Sequence, residues 1–220
     1  MEEHRFRTPR SARFFTLGHS GSDVTDVWFV CHGYGQLARD FLTGFEPIAG
    51  SGRLIVAPEA LSRFYSGSPD ARGPGARVGA SWMTREDRLA EIADQIAYLD
   101  GLAEDLLRQL PDRVGIRALG FSQGASAACR WAALGATRLR ELIIWAGEIP
   151  ADIPDPDLGE RLACLALHLV AGRRDRLVPD AIFVHQETRL RRAGLDPRIH
   201  RFDGGHRLDS ALLRALAGVG

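Results

Sequence analysis

Gly120-Phe121-Ser122-Gln123-Gly124 separates two stretches of different character. Before it, Gly115-Ile116-Arg117-Ala118-Leu119 is short, largely apolar and strand-like. After it, Ala125-Ser126-Ala127-Ala128-Cys129-Arg130-Trp131 is rich in small, helix-compatible residues. A G-x-S-x-G turn between a strand and a helix is the layout of a nucleophile elbow, which lifts the serine hydroxyl off the sheet. Flanking glycines allow the tight turn because they bring no Cβ into it. The bland alternative is an ordinary strand-to-helix turn in which Ser122 caps the helix.

Working outward, the segments on either side repeat one rhythm. Val24–Cys31 and Arg53–Ala57 read as buried strands, as do Leu142–Trp145, Cys164–Val170 and Arg198–Phe202. Near-continuous apolar runs of this kind suit strands covered on both faces. Helices are expected over about 38–48, from Thr84 to Leu110, over 180–193 and over 208–217. The clearest is the one from Thr84. Leu89, Ile92, Ile96, Leu99, Ala103, Leu106 and Leu110 recur every three or four residues, and Pro111 closes it. Alternating strands and helices predict an α/β fold, a mostly parallel sheet with helices on both faces, in one domain over 1–220. Residues 5–18 read as a hairpin at the sheet edge. Residues 59–83 show no period and read as a long loop, with Gly67, Pro69, Gly73, Pro74, Gly75 and Gly79 in its second half.

Composition narrows the function classes. The 220 residues carry 28 Lys plus Arg against 28 Asp plus Glu, so net charge gives no case for a nucleic-acid partner. No tract approaches the apolar length of a membrane span, and the first residues carry no signal-peptide core, so a cytoplasmic protein without stable membrane insertion is expected. Cys31, Cys129 and Cys164 lack metal-ligand spacing and read as buried free thiols. The glycine-rich His32-Gly33-Tyr34-Gly35-Gln36 loop lacks both the lysine of a phosphate loop and the third glycine of a dinucleotide fingerprint. Oligomeric state is left open, a homodimer included.

In such sheets ligands bind beyond the carboxyl ends of the strands. The Gly33 loop, Ser122, Asp175 and His206 each fall just past such an end. A serine hydroxyl needs a base, and the base needs an orienting group. The chain order Ser122, Asp175, His206 fits Ser attacking, His carrying the proton and Asp holding the imidazole. Asp203, three residues from His206, is the rival acid, and Asp180 reads as a helix cap. His32 precedes the Gly33 loop and is expected to order it. Backbone N–H groups of Tyr34 and Gln123 are placed to receive an oxyanion. Phe64, Tyr65, Trp82 and Met83 are candidates to line an acyl pocket, with surface packing the alternative.

With these residues together, the chain resembles the phospholipase/carboxylesterase group of α/β-hydrolases, which includes the acyl-protein thioesterases. The resemblance spans about 24–217. It rests on Gly120-Phe121-Ser122-Gln123-Gly124-Ala125, on the G-x-x-D-x-x-V-P pattern from Gly172 to Pro179, on Gly204-Gly205-His206 and on Ala146-Gly147-Glu148-Ile149-Pro150. The family's early loop reads H-G-x-G-D; this chain has Gln36 where the family has Asp. The resemblance implies an esterase acting on a small-molecule acyl ester, without cofactor or metal. Thioesterase or lysophospholipase activity is the alternative within the fold. A catalytically silent binding protein on a hydrolase scaffold is the alternative from another class. The missing lid favours short to medium acyl chains, and the arginines at 63, 72, 77, 85, 173, 174 and 176 suggest a rim that attracts acidic alcohol groups.

Overall fold

The computed structural model describes residues 1–67, 73 and 75–219. Pro69, Arg72 and Pro74 lie outside them. Seven strands form one sheet: β1 (Phe14–Leu17), β2 (Asp26–Cys31), β3 (Arg53–Pro58), β6 (Gly115–Phe121), β7 (Glu141–Trp145), β8 (Ala166–Gly172) and β9 (Arg198–Phe202), in the order β1-β3-β2-β6-β7-β8-β9. All pairs are parallel except β1 with β3. The α/β fold expected from the alternating elements is the one observed.

The strand β2 shows why both faces are covered. Every residue of Asp-Val-Trp-Phe-Val-Cys is buried. Val27, Phe29 and Cys31 enter one apolar cluster, with Trp131 and Leu99; Trp28 and Val30 enter the other, with Phe41, Phe45 and Trp145. Successive side chains of a strand point to opposite faces, so one apolar run feeds two cores. The first core lies under α2 (Arg88–Leu107), α3 (Gln123–Leu134), α4 (Asp155–Leu162) and α5 (Asp180–Arg192). The second lies under α1 (Ala38–Leu42), a 3-10 turn at Thr43–Ile48, and α6 (Ser210–Ala217).

Several local expectations are corrected. The terminal hairpin does not form, because β1 pairs with β3 instead, Phe14 opposite Pro58, and residues 1–13 hold no regular element. The long helix starts at Arg88, after Asp87 in a left-handed conformation, and not at Thr84. The Thr84 N–H is taken by the Glu91 carboxylate, which holds 84–87 in a turn. Residues 59–83 are not one loop. They contain a two-stranded antiparallel ribbon, β4 (Ser62–Tyr65) and β5 (Val78–Ser81). Strands of four residues with a glycine and serines are too short to display alternation, and this ribbon is held by tertiary contacts described below. The proline-rich passage after β7 hides α4, which starts with Pro156 in its first turn, where a missing N–H costs nothing. Cys31 and Cys129 are buried, their thiols pushed up to about 12 by burial, but Cys164 is exposed in the turn after α4.

Two buried or part-buried histidines make stability depend on pH. Burial lowers the pKa of His32, against opposing effects of Gly33 and Glu59. Burial, then His168 and Arg198, lower that of His200. The unfolded chain therefore takes up these protons first, and stability is full above the unfolded value near 6.5 and falls as pH drops through and below it. Protonation would also end the acceptance by His32 Nε2 of the Ala60 N–H, and the single proton shared between His168 Nδ1 and His200 Nε2, 2.9 Å apart. The melting temperature is expected to fall by several degrees between pH 7.5 and 5.5, and by less in His200→Asn. A flat scan over that interval would contradict this reading.

Candidate active site

The elbow is built by close approach. A Cβ on Gly120 would lie 2.2 Å from the Gly124 carbonyl oxygen, and one on Gly124 would lie 2.2 Å from that of Cys31. Both positions exclude any other residue, because α3 must pack against the end of β2 and β6 within that distance. Between them Ser122 sits at φ 55° and ψ −119°. A non-glycine residue there carries strain of about 1–3 kcal/mol. The turn is held by Ser122 N–H donating to the Trp145 carbonyl at 2.9 Å and by Ala125 N–H donating to the Ser122 carbonyl at 3.0 Å. Gly147 abuts the same turn, since a Cβ there would lie 2.4 Å from the Ser122 carbonyl oxygen. The Ser122 hydroxyl has no hydrogen-bond partner among the described residues.

Asp175 follows β8 and His206 follows β9, its neighbouring strand. His206 Nδ1 lies 2.9 Å from Asp175 Oδ2. The other oxygen, Oδ1, accepts the N–H groups of Leu177 at 2.8 Å and Val178 at 3.0 Å. The Asp175 side chain is fully buried and His206 is 21% exposed. An ionised carboxylate only accepts, so Nδ1 carries the proton and Nε2 is left with a free lone pair. The rival Asp203 faces outward and pairs with Arg174 at 3.1 Å, and Asp180 pairs with Arg201. The His206 ring packs against Phe121, the residue before Ser122, with centroids 4.9 Å apart. No hydrogen bond joins Ser122 Oγ to His206 Nε2. Such contacts often tighten only when substrate binds.

The loop after β2 lies against the elbow: a Cβ on Gly33 would be 3.2 Å from Ser122 Cβ. The N–H groups of Tyr34 and Gln123 have no acceptor among the described residues, while those of Gly33, Gly35 and Ser122 are engaged. His32 orders this loop as expected. Its Nε2 accepts from Ala60 N–H at 3.1 Å, which leaves Nδ1 to donate to the Gly33 carbonyl at 2.8 Å.

Solved structures of the same architecture cover nearly the whole chain. Esterase PE8 is 25% identical over 94% of this chain and 96% of its own, with a TM-score of 0.69. A carboxylesterase from Mesorhizobium loti is 20% identical over 95% of each chain, TM-score 0.70. Zea mays acyl-protein thioesterase 2 is 18% identical over 96% of this chain and 100% of its own, TM-score 0.67. The chain is an α/β-hydrolase. The resemblance read from its motifs is borne out, and with Ser122 at the elbow the enzyme is of serine-hydrolase type. No protein-family model matches the chain, and no curated protein does.

Ser122 and His206 of this hydrolase open onto a cleft of about 430 Å³. Its wall carries Ser126, Glu148, Ile149, Leu177, His185 and Gln186. None of the aromatic residues proposed for the acyl pocket lines this cleft. Trp82 is a core side chain, 3% exposed, whose indole N–H donates to the His32 carbonyl at 2.8 Å. Its large apolar surface is consumed by packing beneath the loop. Phe64 stacks on Tyr34 with centroids 5.2 Å apart, on the outer side of that loop, and Tyr65 is 62% exposed. Met83 lends only its carbonyl to the site, accepting from the Gln123 side chain at 2.9 Å.

The arginine rim also differs from expectation. Arg63 is spent on Glu59, Arg174 on Asp203, and none of the described rim arginines lines the cleft. The arginine that does, Arg189, donates to the carbonyls of Ile149, Pro150 and Ile153 and to Asp155, so its charge braces the wall. Sequence reasoning missed the Gln123 side chain. Its oxygen accepts the Trp82 N–H at 3.0 Å and its nitrogen donates to Ser81 Oγ at 3.1 Å, tying β5 to the elbow. Among the described residues, no group of three or more His, Cys, Asp or Glu could hold a metal ion, and no helix is long and apolar enough to cross a membrane.

Proposed function

We propose that residues 1–220 form one catalytic domain that hydrolyses carboxylic esters of short to medium acyl chains through an acyl-enzyme on Ser122. The observation that carries the reading is the His206–Asp175 pair at 2.9 Å beside a strained elbow serine. His206 Nε2 takes the Ser122 proton as Oγ attacks the ester carbonyl. The Tyr34 and Gln123 N–H groups receive the oxyanion, the latter helped by the N-terminus of α3. His206 then gives its proton to the leaving alcohol. Water repeats the sequence, with His206 as base, and releases the acid. Asp175 keeps the imidazole in the required tautomer and favours its charged form.

The cleft supports a small-molecule substrate. It is open, and polar groups line as much of it as apolar ones, so the distal carbons of a long acyl chain would stay in water. A buried methylene is worth about 0.8 kcal/mol, and a deep tunnel would raise kcat/KM steeply with chain length. Glu148 and His185 on the wall, with no free arginine lining it among the described residues, favour neutral or cationic alcohol groups over acidic ones. A chromogenic acyl-ester series from two to sixteen carbons is expected to peak below ten and decline beyond. A maximum at twelve or more would overturn the chain-length claim. Acyl-thioester and lysophospholipid substrates in the same assay decide the second reading, which the acyl-protein thioesterase among the similar structures motivates. Labelling of Ser122 by a fluorophosphonate separates either from a silent scaffold.

A further inference from the structure

The Gly33–Tyr34 peptide carries the N–H proposed as an oxyanion donor, and this peptide is fixed from its other side. Its carbonyl accepts from His32 Nδ1 at 2.8 Å and from Gln36 N–H at 3.2 Å. A peptide group is planar, so holding the carbonyl aims the N–H. The preceding amide is held too: Gln36 Oε1 accepts the buried Gly33 N–H at 2.8 Å. The Gln36 carbonyl in turn accepts Ala80 N–H at 3.2 Å, and Gly35 N–H donates to the Ala80 carbonyl at 2.9 Å. Gly79 permits this, since a Cβ there would lie 2.6 Å from the Gly35 carbonyl oxygen. The turn is closed by Gly35 at φ 74°, the positive value that the third residue of a type II turn requires.

We propose that Gln36 is a positioning residue for catalysis, holding the Tyr34 N–H on the oxyanion with the β4–β5 ribbon as its abutment. The proposal rests on the reading of Tyr34 and Gln123 as the oxyanion donors. Gln36 does so without charge. A carboxylate at this position could accept the same Gly33 N–H, so the acceptor oxygen is what the position requires. A chain of bonds also runs from Ala60 N–H through the neutral His32 ring to the Gly33 carbonyl. Bonds in such a chain polarise one another and strengthen the terminal donor. Without the Gln36 side chain, the buried Gly33 N–H loses its acceptor and the turn can relax. The donor is then misaimed, although not deleted.

Deleting an oxyanion donor outright costs about 10²–10³ in kcat, so misaiming one is expected to cost about tenfold to a hundredfold. In Gln36→Ala, kcat per fluorophosphonate-labelled site should fall by at least tenfold while KM for a short acyl ester changes less than twofold. Gln36→Glu, which keeps an acceptor oxygen, should recover most of that loss. A purely structural role would lower the melting temperature and the labelled fraction but leave kcat per labelled site near wild type. That outcome, or a Gln36→Glu variant no better than alanine, overturns the proposal. The oxyanion reading is tested separately by the affinity of the wild-type protein for a trifluoromethyl ketone relative to the matching methyl ketone. Lack of preference in wild type removes the foundation. A preference that Gln36→Ala keeps undiminished removes only the role of Gln36.

Discussion

Ser122→Ala is expected to abolish ester turnover, lowering kcat by about 10⁵–10⁶ as loss of a triad nucleophile does in serine hydrolases, while the melting temperature moves by no more than a few degrees. The two halves of this expectation have different physical sources. In the proposed mechanism the hydroxyl is the attacking group, and alanine supplies no nucleophile in its place. It also makes no hydrogen bond among the described residues, so its removal leaves none of their polar groups unsatisfied. Alanine inherits the same φ of 55°, so the backbone strain neither rises nor is released. The measurement pairs steady-state kinetics with thermal unfolding of the purified variant. A folded Ser122→Ala protein that keeps near-wild-type kcat would remove Ser122 from the mechanism.

The second large effect separates two aspartates. Asp175→Asn should lower kcat by about 10⁴, the loss found when the triad acid becomes an amide, whereas Asp203→Asn should change it less than twofold. At 175 the Oδ1 position must keep accepting the N–H groups of Leu177 and Val178. The amide nitrogen would then face His206 Nδ1 and donate to it. That puts the imidazole proton on Nε2, where it blocks acceptance from Ser122. Asp203 is exposed and its partner is Arg174, and an exposed ion pair contributes about 0–1 kcal/mol. Kinetics of the two variants side by side decide the matter, and a crippled Asp203→Asn with an active Asp175→Asn would reverse the assignment.

Legibility of this protein from its sequence followed the range of the interactions involved. The parallel sheet was readable because burial on both faces writes itself as apolar runs such as Trp28-Phe29-Val30 and Leu142-Ile143-Ile144. The turns that end those strands were readable because glycine is forced wherever two backbones meet, as at Gly120 and Gly124. Asp175 and His206 could be named from order and loop position. That His206 meets Asp175 and not Asp203, three residues away, depends on the parallel pairing of β8 with β9, which brings one loop alongside the other.

Elements held by distant partners were not legible. The β4–β5 ribbon has too few residues to show a period. Its strands persist because Ala80 exchanges hydrogen bonds with the loop after β2 and because the Gln123 side chain holds Ser81–Met83. Trp82 shows the same limit from the other side. An indole beside a candidate site has an apolar face that suits either a substrate or a core, and its composition is identical in both cases. The His32 carbonyl, reached only in the folded chain, turns that indole inward. By itself the sequence determined the sheet, the elbow and the residues able to form a triad, because each is fixed by local backbone sterics or by the period of burial. Only the tertiary structure decided which acid meets the histidine, which amide the Gln36 side chain holds and which side chains face the cleft. Those outcomes depend on contacts between segments far apart in the chain, and no local pattern encodes them.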